Sequence, residues 1–172
     1  MLVLNRNEIK NLIDSNQIIS EFIDLDTQLT PNGFDVTLKE VYRIESSGHL
    51  DFSNKERKMP DFTKLQPIKK EGDEHGWWVL PKGTYKIKAN EHFKIPLDLI
   101  TLAKPRSSLL RMGGTVYTGV GDAGFEGKME FLLNVTNEKG ISLKENARIV
   151  QIIFLKMNKI DEGYSGIHKH LE

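Results

Sequence analysis

Between Pro105 and Gly127 the chain gathers the residue types that handle phosphate. Pro105-Arg106-Ser107-Ser108-Leu109-Leu110-Arg111 offers two hydroxyls and two guanidiniums, and Gly119-Val120-Gly121-Asp122-Ala123-Gly124-Phe125-Glu126-Gly127 sets two carboxylates among four glycines. A guanidinium fork matches two phosphate oxygens at once. Glycine lets backbone approach a ligand closely. A carboxylate enclosed in such a hairpin, beside a phosphate site, is a candidate general base for water. Together the two stretches point to a nucleotide pocket in which a phosphate ester is attacked, with Asp122 as the base and a divalent ion on the phosphates.

Other chemistries fit less well. No glycine-rich turn ends in Gly-Lys-Ser or Gly-Lys-Thr, so a Walker-type phosphate loop is absent. The chain has no cysteine, which removes thiol nucleophiles, disulfides and the paired ligands of a zinc deaminase. No histidine lies near Ser107 or Ser108 in sequence to activate either as a nucleophile. Asp73, Glu74 and His75 match no metal spacing and read as a solvated loop.

These residues need a scaffold, and 172 residues suffice for one domain with its own core. Lys plus Arg equals Asp plus Glu at 24 each, so no basic surface calls for nucleic acid. No apolar run approaches the ~20 residues of a membrane helix, and no leader pattern opens the chain. The expected product is a cytoplasmic protein without nucleic-acid or membrane partners.

The periodicities describe strands. Asn7 to Asn16 reads as a short helix with Ile9, Leu12 and Ile13 on one face, capped by Asn5 or Asn7. Ile18 to Leu29 alternates poorly and reads as an extended link. After the turn at Thr30-Pro31-Asn32-Gly33, Phe34 to Leu38 alternates strictly. That puts Phe34, Val36 and Leu38 on the core face and leaves Asp35 and Thr37 on the other, where the pattern alone makes Asp35 a solvated carboxylate. Ser46 to Gly76 reads as a polar surface excursion with room for one short strand. Trp77 to Leu80 and Thr84 to Ala89 suggest a hairpin turning at Pro81-Lys82-Gly83, with the two tryptophans packing at core and rim. Further strands are expected at Phe93 to Pro96, Leu99 to Ala103, Lys128 to Val135, Ile141 to Leu143 and, most apolar of all, Ala147 to Met157. Ser107 to Gly113 forms one or two helical turns. The resulting class is all-β, a sandwich or barrel, with one domain over residues 1–160 and a mobile tail over 161–172.

At these motifs the chain resembles the dUTPase and dCTP deaminase superfamily. Pro105 to Leu109 resembles its phosphate-binding motif, and Gly119 to Gly127 the dUTPase substrate hairpin with its catalytic Asp at Asp122. Asn146-Ala147-Arg148-Ile149-Val150-Gln151 resembles a later strand motif whose Gln lies near the nucleotide. Asn32 to Leu38 resembles the first motif as the deaminase-like, archaeal-type branch carries it. The N-terminal helix and Tyr164-Ser165-Gly166 also look like that branch. Four motifs in the right order span most of the chain.

The resemblance implies a distorted jelly-roll subunit of the β-clip type, a homotrimer with active sites between subunits, and a nucleoside triphosphate held with Mg²⁺. It implies that Arg106, Ser107, Ser108 and Arg111 contact phosphates. It puts Phe125 against the deoxyribose, Gln151 near phosphate or base, and the backbone of Val116, Thr118 and Gly119 on the pyrimidine edge. Asp35 becomes a metal contact through water. The stretch Gly163 to His170 stands where a lid would lie, with Tyr164 and Lys169 as its nucleotide contacts. Deaminases of this kind carry a catalytic Glu ten residues beyond the equivalent of Asp122, where this chain has Leu132. Glu130, two residues earlier, is the substitute that a register shift would bring in. The expected reaction is therefore dUTP to dUMP and pyrophosphate. A dCTP deaminase or bifunctional enzyme using Glu130, and a non-catalytic nucleotide-binding regulator, are the alternatives.

Overall fold

A computed structural model describes residues 2–16 and 18–166. Lys169, expected above as a nucleotide contact, lies outside the described residues. The chain is the expected all-β jelly-roll with a short N-terminal helix. Its strands are β1 (Leu2–Val3), β2 (Ile19–Ser20), β3 (Leu29–Thr30), β4 (Gly33–Ile44), β5 (Phe62–Leu65), β6 (Trp77–Leu80) and β7 (Gly83–Lys94). They continue with β8 (Leu99–Pro105), β9 (Gly114–Tyr117), β10 (Val120–Gly121), β11 (Glu126–Val135), β12 (Ile141–Lys144) and β13 (Arg148–Lys156). The helices are α1 (Arg6–Asn16), α2 (Leu25–Gln28) and α3 (Ser107–Arg111). None is long and apolar enough to cross a membrane.

Local chemistry explains the helical starts. Asn5 Oδ1 accepts from the amides of Asn7 and Glu8, while Glu8 Oε2 accepts from the Asn5 amide at 2.8 Å. This reciprocal box satisfies donors the first turn cannot pair internally. Ile9 and Ile13 then bury one face of α1. The poorly alternating stretch after α1 is not simply extended. It holds β2 and α2, and Asp24 caps α2 by accepting from the Thr27 amide at 2.8 Å.

β4 organises the sheet. The strand order is β10-β8-β13-β4-β7-β11-β9, all pairs antiparallel. The first part of β4, Phe34 to Thr37, pairs with β13; the second, Leu38 to Arg43, pairs with β7. Register shifts at Leu38/Glu40, Arg148/Val150 and Lys128/Glu130 bend the strands where this change occurs. The enclosed core includes Phe34, Phe93 and Phe154, all fully buried.

The hairpin expected at Pro81-Lys82-Gly83 does not form. β6 pairs with β12 in a separate two-stranded sheet, while β7 pairs with β4 and β11. Both flanks alternate, but alternation does not say which strand is the neighbour. Here the turn is a corner between sheets, held by the Tyr85 hydroxyl on the Pro81 carbonyl at 2.9 Å. Trp78 is core and Trp77 is rim, at 3% and 43% exposure.

Candidate active site

Two groups of predicted residues emerge, and the strand register sets them apart. β10 and the turn after it form one group. Val120 and Gly121 lie opposite Leu102 and Thr101 on β8. A side chain at Gly121 would bring its Cβ within 2.0 Å of Thr101 Oγ1, so this close pairing requires glycine. Asp122 follows at the bend, where its carbonyl accepts from the Phe125 amide at 3.0 Å. Expected as an enclosed carboxylate, Asp122 is exposed in the single chain, because the hairpin carries it to the edge of the sheet.

Beside it opens a cavity of about 350 Å³. Gly119 to Asp122, Phe125, Met129, Glu130 and Phe131 line it, with Thr101 and Ala103 from β8. Tyr164 closes one side, its ring 5.9 Å from that of Phe125. The start of the tail, expected to be mobile, is thus docked: the Tyr164 amide donates to the Ala123 carbonyl at 2.8 Å, and Gly163 packs on Gly124. Met59, from the long excursion after β4, also lines this cavity. Nothing in its sequence context marks it.

The second group surrounds Arg106. Its Nε lies 3.0 Å from Asp35 Oδ2, and Arg148 Nη1 approaches the same oxygen at 3.4 Å while donating to the Thr27 carbonyl at 2.7 Å. Asp35 is 2% exposed, so the solvated reading of this residue is overturned. The face opposite Phe34 and Val36 is covered by α2 and the arginines, a coverage that alternation cannot reveal. Burial pushes the Asp35 carboxyl above its usual range, and the two guanidiniums oppose that shift. The carboxylate expected to contact a metal through water is engaged by two cations. Among the described residues no group of three or more His, Asp or Glu is placed to hold a metal ion.

Ser107, Ser108 and Arg111 are exposed on α3, with Arg111 Nη1 3.4 Å from Ser107 Oγ. Arg106 stands at the helix start without a side-chain cap. Gln151, opposite Asp35 and Lys104, donates to Thr30 Oγ1 at 2.7 Å. Val116 is buried on β9, and the Thr118 hydroxyl donates to the Ala103 carbonyl at 3.1 Å.

Within the chain the two groups stand apart. Gly121 sits opposite Thr101, and Arg106, just past the end of β8, lies five residues further on, about 16 Å at ~3.3 Å per extended residue. None of Arg106, Ser107, Ser108 and Arg111 lines the cavity beside Asp122. Glu130 does line it, next to the register shift, but Lys86 Nζ holds its Oε1 at 2.8 Å. Leu132 faces Tyr117 and Lys86.

Residues 3–157 match the family model described as dCTP deaminase-like. A probable deoxyuridine 5'-triphosphate nucleotidohydrolase of Methanosarcina mazei is 45% identical over 172 residues, covering 99% of this chain and 98% of its own. The deoxyuridine 5'-triphosphate nucleotidohydrolase of Methanocaldococcus jannaschii is 36% identical over 168 residues, covering 98% and 99%. In fold, the chain is similar to a 2'-deoxycytidine 5'-triphosphate deaminase of Agrobacterium tumefaciens, with a TM-score of 0.64 at 20% identity over 88% of this chain and 47% of that one.

Proposed function

The chain belongs to the dCTP deaminase-like family, and on that premise we propose that it is a dUTP diphosphatase, releasing dUMP and pyrophosphate. The observation that carries this reading is the cavity bordered by the glycine hairpin, with the Asp122 carboxylate at its rim and Phe125 and Tyr164 on its wall. Asp122 takes a proton from water. The water oxygen bonds to the α-phosphorus, the bond to the bridging oxygen breaks, and pyrophosphate leaves. Phe125 packs on the deoxyribose, and the backbone from Val116 to Gly119 reads the pyrimidine. Arg106, Ser107, Ser108 and Arg111 bind the phosphates, with Gln151 close by.

The separation along β8 supports a homotrimer with shared sites. A hairpin from one copy and the Arg106 group of another would together enclose one triphosphate. Residues 161–172 act as the lid, opening on the contact of Tyr164 with Phe125. Among the described residues no cage of carboxylates and histidines forms, so Mg²⁺ would come carried by the triphosphate. When bound, Mg²⁺ neutralises phosphate charge, and Asp35 serves the site by holding Arg106.

Deamination of dCTP needs a carboxylate free to shuttle protons at the base. Leu132 cannot do this, and Glu130 is held by Lys86. Incubation with dUTP and dCTP tests the reading. Pyrophosphate from dUTP without ammonia from dCTP is expected. Ammonia from dCTP, or binding without turnover of dUTP, overturns it.

A further inference from the structure

Glu91, on β7, is fully buried, and none of the residues singled out in sequence leads to it. Its hydrogen-bond partners among the described residues include Gln28 and Thr37. Its carboxylate is surrounded by donors. Gln28 Nε2 donates to Oε1 at 2.7 Å, the Thr37 amide donates to Oε2 at 3.0 Å, and the Thr37 hydroxyl donates to Oε1 at 2.6 Å. Thr37 Oγ1 also accepts from Asn90 Nδ2 at 2.9 Å, which leaves its one proton for Glu91. The carboxyl oxygens accept each of these bonds from Gln28 and Thr37.

The same partners lead to the phosphate group of residues. The Gln28 amide that donates to Glu91 also donates to the backbone carbonyl of Asp35, at 2.9 Å. Thr37 is two residues along β4, on the face that carries Asp35. Gln28 is itself held, its Oε1 accepting from the amides of Ile23 and Asp24 at 2.8 and 3.0 Å. Glu91 thus ties both sides of Asp35, through Gln28 and through Thr37, and Asp35 holds the Arg106 guanidinium at 3.0 Å.

We propose that Glu91 is a positioning residue for triphosphate binding, acting on Arg106 through Gln28, Thr37 and Asp35. It touches no substrate. It fixes the stretch of β4 on which the phosphate-binding arginine is aimed. The inference rests on the proposed role of Arg106 at the phosphates.

The test uses the full chain and two ligands, the α,β-imido analogue of dUTP and deoxyuridine, which has no phosphate. Glu91→Gln keeps the shape but turns an amide towards donors. It is expected to weaken the imido analogue roughly tenfold, the effect of losing one charge-assisted hydrogen bond, and to leave deoxyuridine within about twofold. KM for dUTP should rise more than kcat falls. In an Arg106→Gln background the same change should cost the analogue little more, because the two act on one contact. Thr37→Val, which removes one donor and keeps size, should give a smaller loss of the same kind, and it decides the matter if Glu91→Gln does not fold. Equal losses for both ligands, or additive losses with Arg106→Gln, would overturn the proposal. A wild-type chain that binds the analogue but does not turn over dUTP would count against the diphosphatase reading and leave this test standing.

Discussion

The two halves of the site are built in opposite ways. The Arg106 half is assembled before any ligand arrives: Asp35 is buried between two guanidiniums, and Gln28 and Glu91 brace its strand. The Asp122 half is an exposed bend in a glycine hairpin, contacted by the first residues of the tail. Binding geometry is thus pre-organised, which spares ordering entropy when a charged ligand arrives. The hairpin carboxylate stays open, at the rim of the cavity. Substitutions should therefore act differently in the two halves: on turnover at the hairpin, on stability and affinity at the arginines.

The largest effect tests the open half. Asp122→Asn keeps shape and removes the base, so kcat should fall roughly 10³-fold. Affinity for the imido analogue should stay near wild type, and so should the melting temperature, since an exposed carboxylate supports little of the fold. Retained turnover would remove Asp122 from the chemistry.

The converse holds at Asp35. Truncation to Ala leaves Arg106 and Arg148 facing each other at a buried position. The cost in unfolding free energy should be about 3 kcal/mol, at the low end for a broken buried pair because both guanidiniums reach solvent. Thermal or urea unfolding measures it. The same variant should bind the imido analogue more weakly, whereas Asp122→Asn should not. Similar stability losses in both variants would erase the distinction between the halves.

A smaller effect is expected at Gly124. Its φ of +82° suits glycine, and a Cβ there would lie 2.7 Å from the Gly163 Cα. Gly124→Ala should push the tail off the hairpin and lower kcat/KM for dUTP by roughly tenfold, the scale of a misplaced active-site contact. The fold should lose only about 1 kcal/mol. If removing residues 161–172 leaves kcat/KM unchanged, the tail is not the lid.

The sequence was most legible where chemistry and period coincide. The strand expected over Ala147 to Met157 runs Arg148–Lys156, and the helix expected from Asn7 runs Arg6–Asn16. Partnership was not legible. The alternation of Trp77 to Leu80 is equally compatible with pairing to β7 and with its actual partner, β12. Asp35 alternates as a solvent-facing residue, yet α2, hidden in a stretch without clear period, covers it. Glu91 did leave a trace. Tyr85, Ile87, Ala89 and Phe93 share the buried side of β7, and Glu91 is the one acidic residue in that series. An acid on the apolar side of an alternating strand signals a buried carboxylate with dedicated partners.

The subtlest contrast lies in the response to acid. Burial raises the Glu91 carboxyl above its usual value, outweighing the opposing hydrogen bonds from Thr37 and Gln28, and burial raises Asp35 as well. A raised carboxyl holds its proton more tightly when folded than when unfolded. The stability these two groups supply is therefore fully present below their unfolded pKa and is lost as pH rises through the folded one. On the sheet face beside the cavity the sign reverses. The Glu21 carboxyl is lowered, chiefly by the Lys128 ammonium, and Glu40 is lowered by Lys64 and Tyr42 despite its burial. Their contribution is present above the unfolded carboxyl range and fades as pH falls through the folded values. Measuring unfolding free energy against pH for wild type and Glu91→Gln isolates the first term. The gap between the two proteins should shift in favour of wild type as pH is lowered towards the unfolded carboxyl range. For Lys128→Met, which frees Glu21 of its partner, the gap should shift against wild type only at lower pH, as it falls below the unfolded carboxyl range through the lowered folded value. Parallel curves for Glu91→Gln would mean that Glu91 titrates alike in folded and unfolded chains, and that its burial among donors costs no more than exposure to water.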